Sequence, residues 1–242
     1  ADMLRNSLFH PDEVEKERQV ILEELAMSND FPTYRVGALI DEALWPNQPL
    51  GRDVGGDRES VQGITREMIL DYMERQYSPS NIVLSIAGNI SHEEVMEQVN
   101  ELLIDWPISH PTPWQPATDR QIAPLLKLEK RRTEQAHLCL GFKGLSSTDP
   151  DRYSLSLLNV VLGEGMSSRL FQEVREEQGL AYDVHSSASH LLDTGSIIVY
   201  AGVDPKKAQQ AVVTILNVLQ SLKDSVPEEE LIKAKEFAKG RL

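Results

Sequence analysis

The sequence predicts an α+β protein of two homologous α/β-layered domains, each with helices packed on a mostly antiparallel sheet, both incomplete and joined by a proline-rich linker. Three observations predict this. Amphipathic helical segments alternate with short β-branched apolar runs. A strand-to-helix unit recurs in the two halves: IVLSIAGNISHEEVMEQVNELL and IIVYAGVDPKKAQQAVVTILNVL share a strand, an Ala-Gly pair, a capping position and an amphipathic helix. Between the halves, WPISHPTPWQPATD contains four prolines, which neither helix nor sheet tolerates. The expected division is therefore 1–106, the C-terminal part of a first domain; 107–122, the linker; and 123–242, the N-terminal part of a second.

The elements follow in order. Residues from Pro11 to about Asn29 read as a helix with acidic residues in its first turn, where they complement the helix dipole. A second helix spans about Pro32 to Leu44, PNQPLGRDVGG is a polar loop, and a third helix runs from Thr65 to about Tyr77. NIVLSIAG reads as a buried strand, after which Ser91 and Glu94 form a capping box for a helix to about Ile104. Beyond the linker, LLKLEKR and AHLCLGF read as paired strands, and Asp149 with Pro150 opens a helix that ends at Gly163. Ser167 to Gln178 is a further helix with Gly179 as its stop; AYDVHSSAS and GSIIVYAG are strands, a helix starts at Pro205, and helical periodicity still runs at AKEFAKGRL.

Composition narrows the function. With 38 acidic against 24 basic residues the net charge is -14, so a surface that tracks phosphates would work against the protein's own field, and nucleic acid is not expected as a partner. Cys139 is the single cysteine; within AHLCLGF it reads as a small buried hydrophobe, and no disulfide framework exists. No apolar stretch has membrane-spanning length and the first residues lack the blocks of a signal peptide, which favours a soluble, cytoplasmic protein away from membranes.

The most informative segment is EVEKERQVILEEL. On a helix Glu13, Glu17 and Glu24 fall on one side, with Val20 and Met27 on one flank and Val14, Ile21 and Leu25 on the other. Carboxylates inside an apolar stripe are expected to be partly buried, and a buried carboxylate wants an arginine, backbone donors or a metal ion as partner. The six histidines show no ligand spacing; His185 and His190 would point to opposite faces of a strand. GEGMSS lacks the Lys-Ser/Thr ending of a phosphate loop and reads as a helix stop and restart.

EKERQVILEEL also resembles the helix that, in the pitrilysin, insulinase and mitochondrial processing peptidase family, supplies the third zinc ligand downstream of an inverted H-x-x-E-H motif. PLGRDVGG, TREMILDYMERQYSPSN, NIVLSIAG, GEGMSSRLFQEVREEQGLAYDV and DTGSIIVYAG follow the same family in order, over nearly the whole chain. The resemblance implies that Glu24 is the metal ligand, with Glu17 supporting it, and that Arg175 and Tyr182 bind the substrate and stabilise the transition state. Without it, Arg175 would read as a surface arginine and Tyr182 as the cap of a strand. It further implies a Zn2+ cofactor, a peptide substrate held in an enclosed chamber, and a homodimer or a heterodimer with a family member. No H-x-x-E-H occurs in the 242 residues; the family places it before residue 1, so the chain is expected to be a stretch of a longer protein and inactive alone. The alternative is a non-catalytic structural or substrate-presenting subunit of the same family, against which the retention of both Glu17 and Glu24 argues.

Overall fold

The computed structural model describes residues 2–119 and 121–241. Along the chain run α1 (Asp2–Arg5), α2 (Pro11–Asp30), α3 (Pro32–Leu44), α4 (Arg58–Gly63), α5 (Arg66–Gln76) and α6 (His92–Leu103). They are followed by β1 (Ala136–Lys143), α7 (Arg152–Gly163), a π-helical turn (Phe171–Glu177), β2 (Ala181–His190), β3 (Gly195–Val203), α8 (Ala208–Asp224) and α9 (Glu228–Lys239). The chain parts into two compact units, Ala1–Met27 with Val54–Gln115, and Ser28–Asp53 with Pro116–Leu242.

The first unit is helical. α2 has Pro11 at its first position and Asp12 and Glu13 in its first turn, and it buries Leu22 while half-burying Val14, Ile21 and Leu25. Its Arg18 donates to the carbonyls of Val61 and Ile64, which the end of α4 leaves without helical partners. Arg66, at the start of α5, donates to the carbonyls of Phe9 and Leu8 at 2.6 and 3.0 Å. Guanidinium groups thus bind carbonyls that α4 and the approach to α2 leave free. Thr65 caps α5 by accepting from the Met68 N–H. α6 begins after Ser91 as expected, yet the Ser91 hydroxyl donates to Glu93 at 3.0 Å and makes no capping bond, so the expected box with Glu94 does not form.

Two expected strands are absent. Residues 82–87, within NIVLSIAG, have no ladder partner among the described residues, and Val83 is 95% exposed. LLKLEKR likewise forms no strand; Leu126 is 84% exposed. Both have the composition of a strand, but a strand exists only when another supplies its backbone bonds. AHLCLGF does form β1, and its partner is β3.

In the second unit the antiparallel sheet has the order β1-β3-β2, so the last strand in sequence lies in the middle. One face carries the rows Ala136, Val203, Ala181 and Leu138, Ala201, Val184. These join Leu170, Val174, Leu180, Ala211, Ile215 and Val218 in the core under α8. α3 covers part of the other face, where Gly141 admits Ile40 and Leu44 so closely that a Cβ would collide with them. α7 lies against β2 in the same way: a Cβ on Gly163 would strike the backbone nitrogen of Ser186. Gly163→Ala should therefore destabilise the chain by about 1–3 kcal/mol through overpacking against backbone. Gly63→Ala, at the open end of α4 with nothing within 4 Å, should be neutral or stabilising by up to about 1 kcal/mol. Urea midpoints of the two variants at unchanged slope check the contrast.

Candidate functional site

Arg175 and Tyr182 come together in the second unit. The helix that begins near Ser168 widens into a π-helical turn over Phe171–Glu177, a geometry that occurs in single turns and often at functional sites. Leu170 and Val174 are both 0% exposed and anchor that turn in the core. It ends where Gly179 takes φ +56, a left-handed value glycine adopts without strain, and donates its N–H to the Arg175 carbonyl at 3.1 Å. Leu180 then returns its N–H to Val174 at 2.8 Å and β2 begins.

At that point the ladder slips. Ala181 pairs with Val203 and Asp183 with Gly202, leaving Tyr182 as the extra residue of a β-bulge. Simple alternation would send Tyr182 to the face opposite its neighbours Ala181 and Asp183. Instead Ala181 and Val184 are buried while Tyr182 and Asp183, in succession, are exposed, Tyr182 at 76%. The Arg175 guanidinium carbon lies 5.4 Å from the Tyr182 ring centre and 4.9 Å from that of Phe171. Its one charged neighbour among the described residues is Glu176, at 3.8 Å, and no described residue takes a hydrogen bond from its N–H groups. The cation thus lies against two rings while no described residue uses its donors. Sequence reasoning missed Phe171; the four-residue spacing to Arg175 on a helix was the available signal.

Beside this pair, Asp183 lies 3.3 Å from His185, whose ring centre is 5.0 Å from that of Tyr200. The Tyr200 hydroxyl and His137 Nδ1 are 2.8 Å apart. Burial pushes the Tyr200 phenol up and the His137 imidazole down. Opposite Tyr200 in the register is Cys139, whose thiol is pushed up to about 12 by burial and then by the Asp41 carboxylate. His190 bonds Ser156 and the Leu145 carbonyl and takes no part in this row. Cys139 should accordingly resist alkylation: at pH 8 iodoacetamide should modify it in the folded chain about a hundredfold or more slowly than in urea, because the thiolate is the nucleophile.

Glu17 and Glu24 stand on α2 seven residues apart, so they share one side of the helix about 10 Å apart along its axis. Contrary to expectation both are exposed. The buried side of α2 is the Val14, Arg18, Ile21, Leu22 and Leu25 side; Val20 and Met27, on the other flank of the glutamates, are 49% and 58% exposed. Helical periodicity reports which residues share a side, and burial depends on an element that covers it. No hydrogen bond or ion pair to a described residue engages either carboxylate. Glu17 also lines a cleft of about 330 Å³ with Phe9, Val14, Ile21, Ile64 and Ile69.

Among the described residues, no group of three or more His, Cys, Asp or Glu is placed to hold a metal ion. An open catalytic zinc site needs three protein ligands. Glu24 presents an uncommitted carboxylate, and the described residues complete no such set. The pair Glu17 and Glu24 belongs to the first unit, and Arg175 with Tyr182 to the second.

Comparison with known proteins places the chain in a family. A family model described as the peptidase M16 inactive domain matches residues 63–237, a span that includes Arg175 and Tyr182 but neither Glu17 nor Glu24. The chain is 38% identical over 243 residues to the uncharacterized zinc protease YmxG of Bacillus subtilis, covering 100% of itself and 59% of that protein. It is also 38% identical to the uncharacterized zinc protease ML0855 of Mycobacterium leprae, covering 99% of itself and 55% of the relative. The fold matches a peptidase M16 inactive domain from Pseudomonas fluorescens with TM-score 0.88 and 21% identity, over 99% of this chain and 58% of that one. It matches a chain of complex III2 from Candida albicans with TM-score 0.81 and 18% identity, over 95% and 58%. The chain belongs to the M16 peptidase family, and it spans little more than half the length of these relatives.

Proposed function

We propose that this chain is part of a zinc-dependent metalloendopeptidase that cleaves short or extended peptides in an enclosed chamber, and that the chain alone is inactive. The observation that carries the reading is the Arg175 guanidinium, held against two aromatic rings with no described residue taking its N–H donors. Those donors and the Tyr182 hydroxyl donate to a peptide carbonyl oxygen, and they do so more strongly as negative charge grows on it during hydrolysis. Glu24 comes from the first unit and Arg175 with Tyr182 from the second.

Zinc, when bound, supplies the Lewis acidity that polarises a carbonyl and acidifies a water. Glu24 gives it one carboxylate oxygen, and Glu17, on the same side of α2, steadies the site from behind the ligands. The exposed Val20 and Met27 beside them suit a side of α2 that another element covers in the whole protein. The two histidines and the general base come from outside these 242 residues.

In the whole protein, Glu24→Gln should lower zinc content at least about tenfold and abolish cleavage of an unfolded peptide; undiminished zinc and activity reject the ligand role. The 242-residue chain by itself should hold well under one zinc per molecule and cleave nothing, as measured by metal analysis and a fluorogenic peptide.

A second reading has its own support in the inactive-domain model and the likeness to a complex III2 chain: a non-catalytic structural or substrate-presenting subunit, paired with a family member. The remaining sequence of the protein separates the two, since an H-x-x-E-H there belongs to the enzyme.

A further inference from the structure

We infer that Phe171 is a positioning residue for the substrate-binding arginine: its ring holds the Arg175 guanidinium against Tyr182 before any peptide arrives. This rests on the reading of Arg175 given above. An arginine that must recognise a carbonyl needs two things that conflict. Its long side chain has to be held in one place, and its five N–H donors have to stay free. A carboxylate partner meets the first need by consuming the donors. An aromatic ring meets both, because it attracts the face of the planar cation and leaves the edge to the ligand.

Arg175 has rings as its close neighbours and no described carboxylate within hydrogen-bond reach. Phe171 lies one helical turn earlier, with its ring centre 4.9 Å from the guanidinium carbon, and Tyr182 at 5.4 Å completes the seat. The one carboxylate nearby, that of Glu176, is 3.8 Å away and 54% exposed, too distant and too wet to fix the group. Phe171 is itself well placed to be rigid. It is half-buried and follows Leu170, which with Val174 is wholly buried at the root of the π-helical turn. Holding Arg175 in advance means that less side-chain freedom is lost when substrate binds. The donors then wait where the carbonyl charge develops, so the benefit falls on kcat more than on KM.

The experiment uses the whole protein and its peptidase activity on a fluorogenic peptide. Phe171→Leu keeps a large apolar side chain and removes the ring; Phe171→Tyr keeps the ring. Phe171→Leu should lower kcat about three- to tenfold with KM changed less than about twofold, and Phe171→Tyr should restore most of the loss. In an Arg175→Ala background, Phe171→Leu should have no further effect, since a residue that acts through Arg175 has nothing left to act on. A merely structural phenylalanine would give the same loss in both backgrounds, which overturns the inference. Full activity of Arg175→Ala alone overturns the substrate-binding reading of Arg175 instead, and the function assigned to Phe171 with it. The placement has its own readout on the 242-residue chain: the Arg175 Nε–H resonance should carry a ring-current shift that is kept in Phe171→Tyr and clearly reduced in Phe171→Leu, where the Tyr182 ring alone remains. An unshifted resonance in the unsubstituted chain rules the seat out regardless of activity.

Discussion

The one-residue slip between β2 and β3 at Tyr182 decides which side chains the second unit presents. Before the slip Ala181 faces the core, and after it Val184 does. Between them a single extra residue lets Tyr182 and Asp183 both face outward. Had the strands paired without it, alternation could not have kept Ala181 and Val184, three residues apart, on the same side. The buried residues thus impose the irregularity, and the irregularity exposes the tyrosine.

The π-helical turn does related work for Arg175. Leu170 and Val174 fix its inner side in the core, Gly179 closes it with a left-handed turn, and Leu180 returns the chain to the sheet. Helix and strand irregularities lie within a dozen residues of each other and meet at one cation. Both are local departures from regular structure, held in place by the well-packed core beneath them. That core contains the side chains a site needs to be precise, yet none of the side chains that would touch a ligand.

The first unit shows the opposite balance. Its helices are tied by arginines that donate to backbone carbonyls, and its glutamates on α2 stand exposed beside exposed Val20 and Met27. The spacing of Glu17 and Glu24 was legible because a helix of this length keeps residues seven apart on one side. Their burial was not, because that depends on a neighbouring element. The extended segments 82–87 and LLKLEKR show the same limit: apolar, β-branched composition marks chain that can join a sheet, and the partner that makes it a strand lies elsewhere.

By itself the sequence determined most of the helices, the stops at Gly163 and Gly179 and the two strands on either side of Asp193, because these follow from local periodicity and turn chemistry, while the choice of Arg175 with Tyr182 as a candidate site came from the family resemblance. Only the tertiary structure decided that β3 is central, that β1 pairs with it, that Phe171 joins the site, and that the α2 carboxylates face outward. Strand order, ring contacts and burial are relations between distant segments, and a local pattern cannot specify which distant segment answers it.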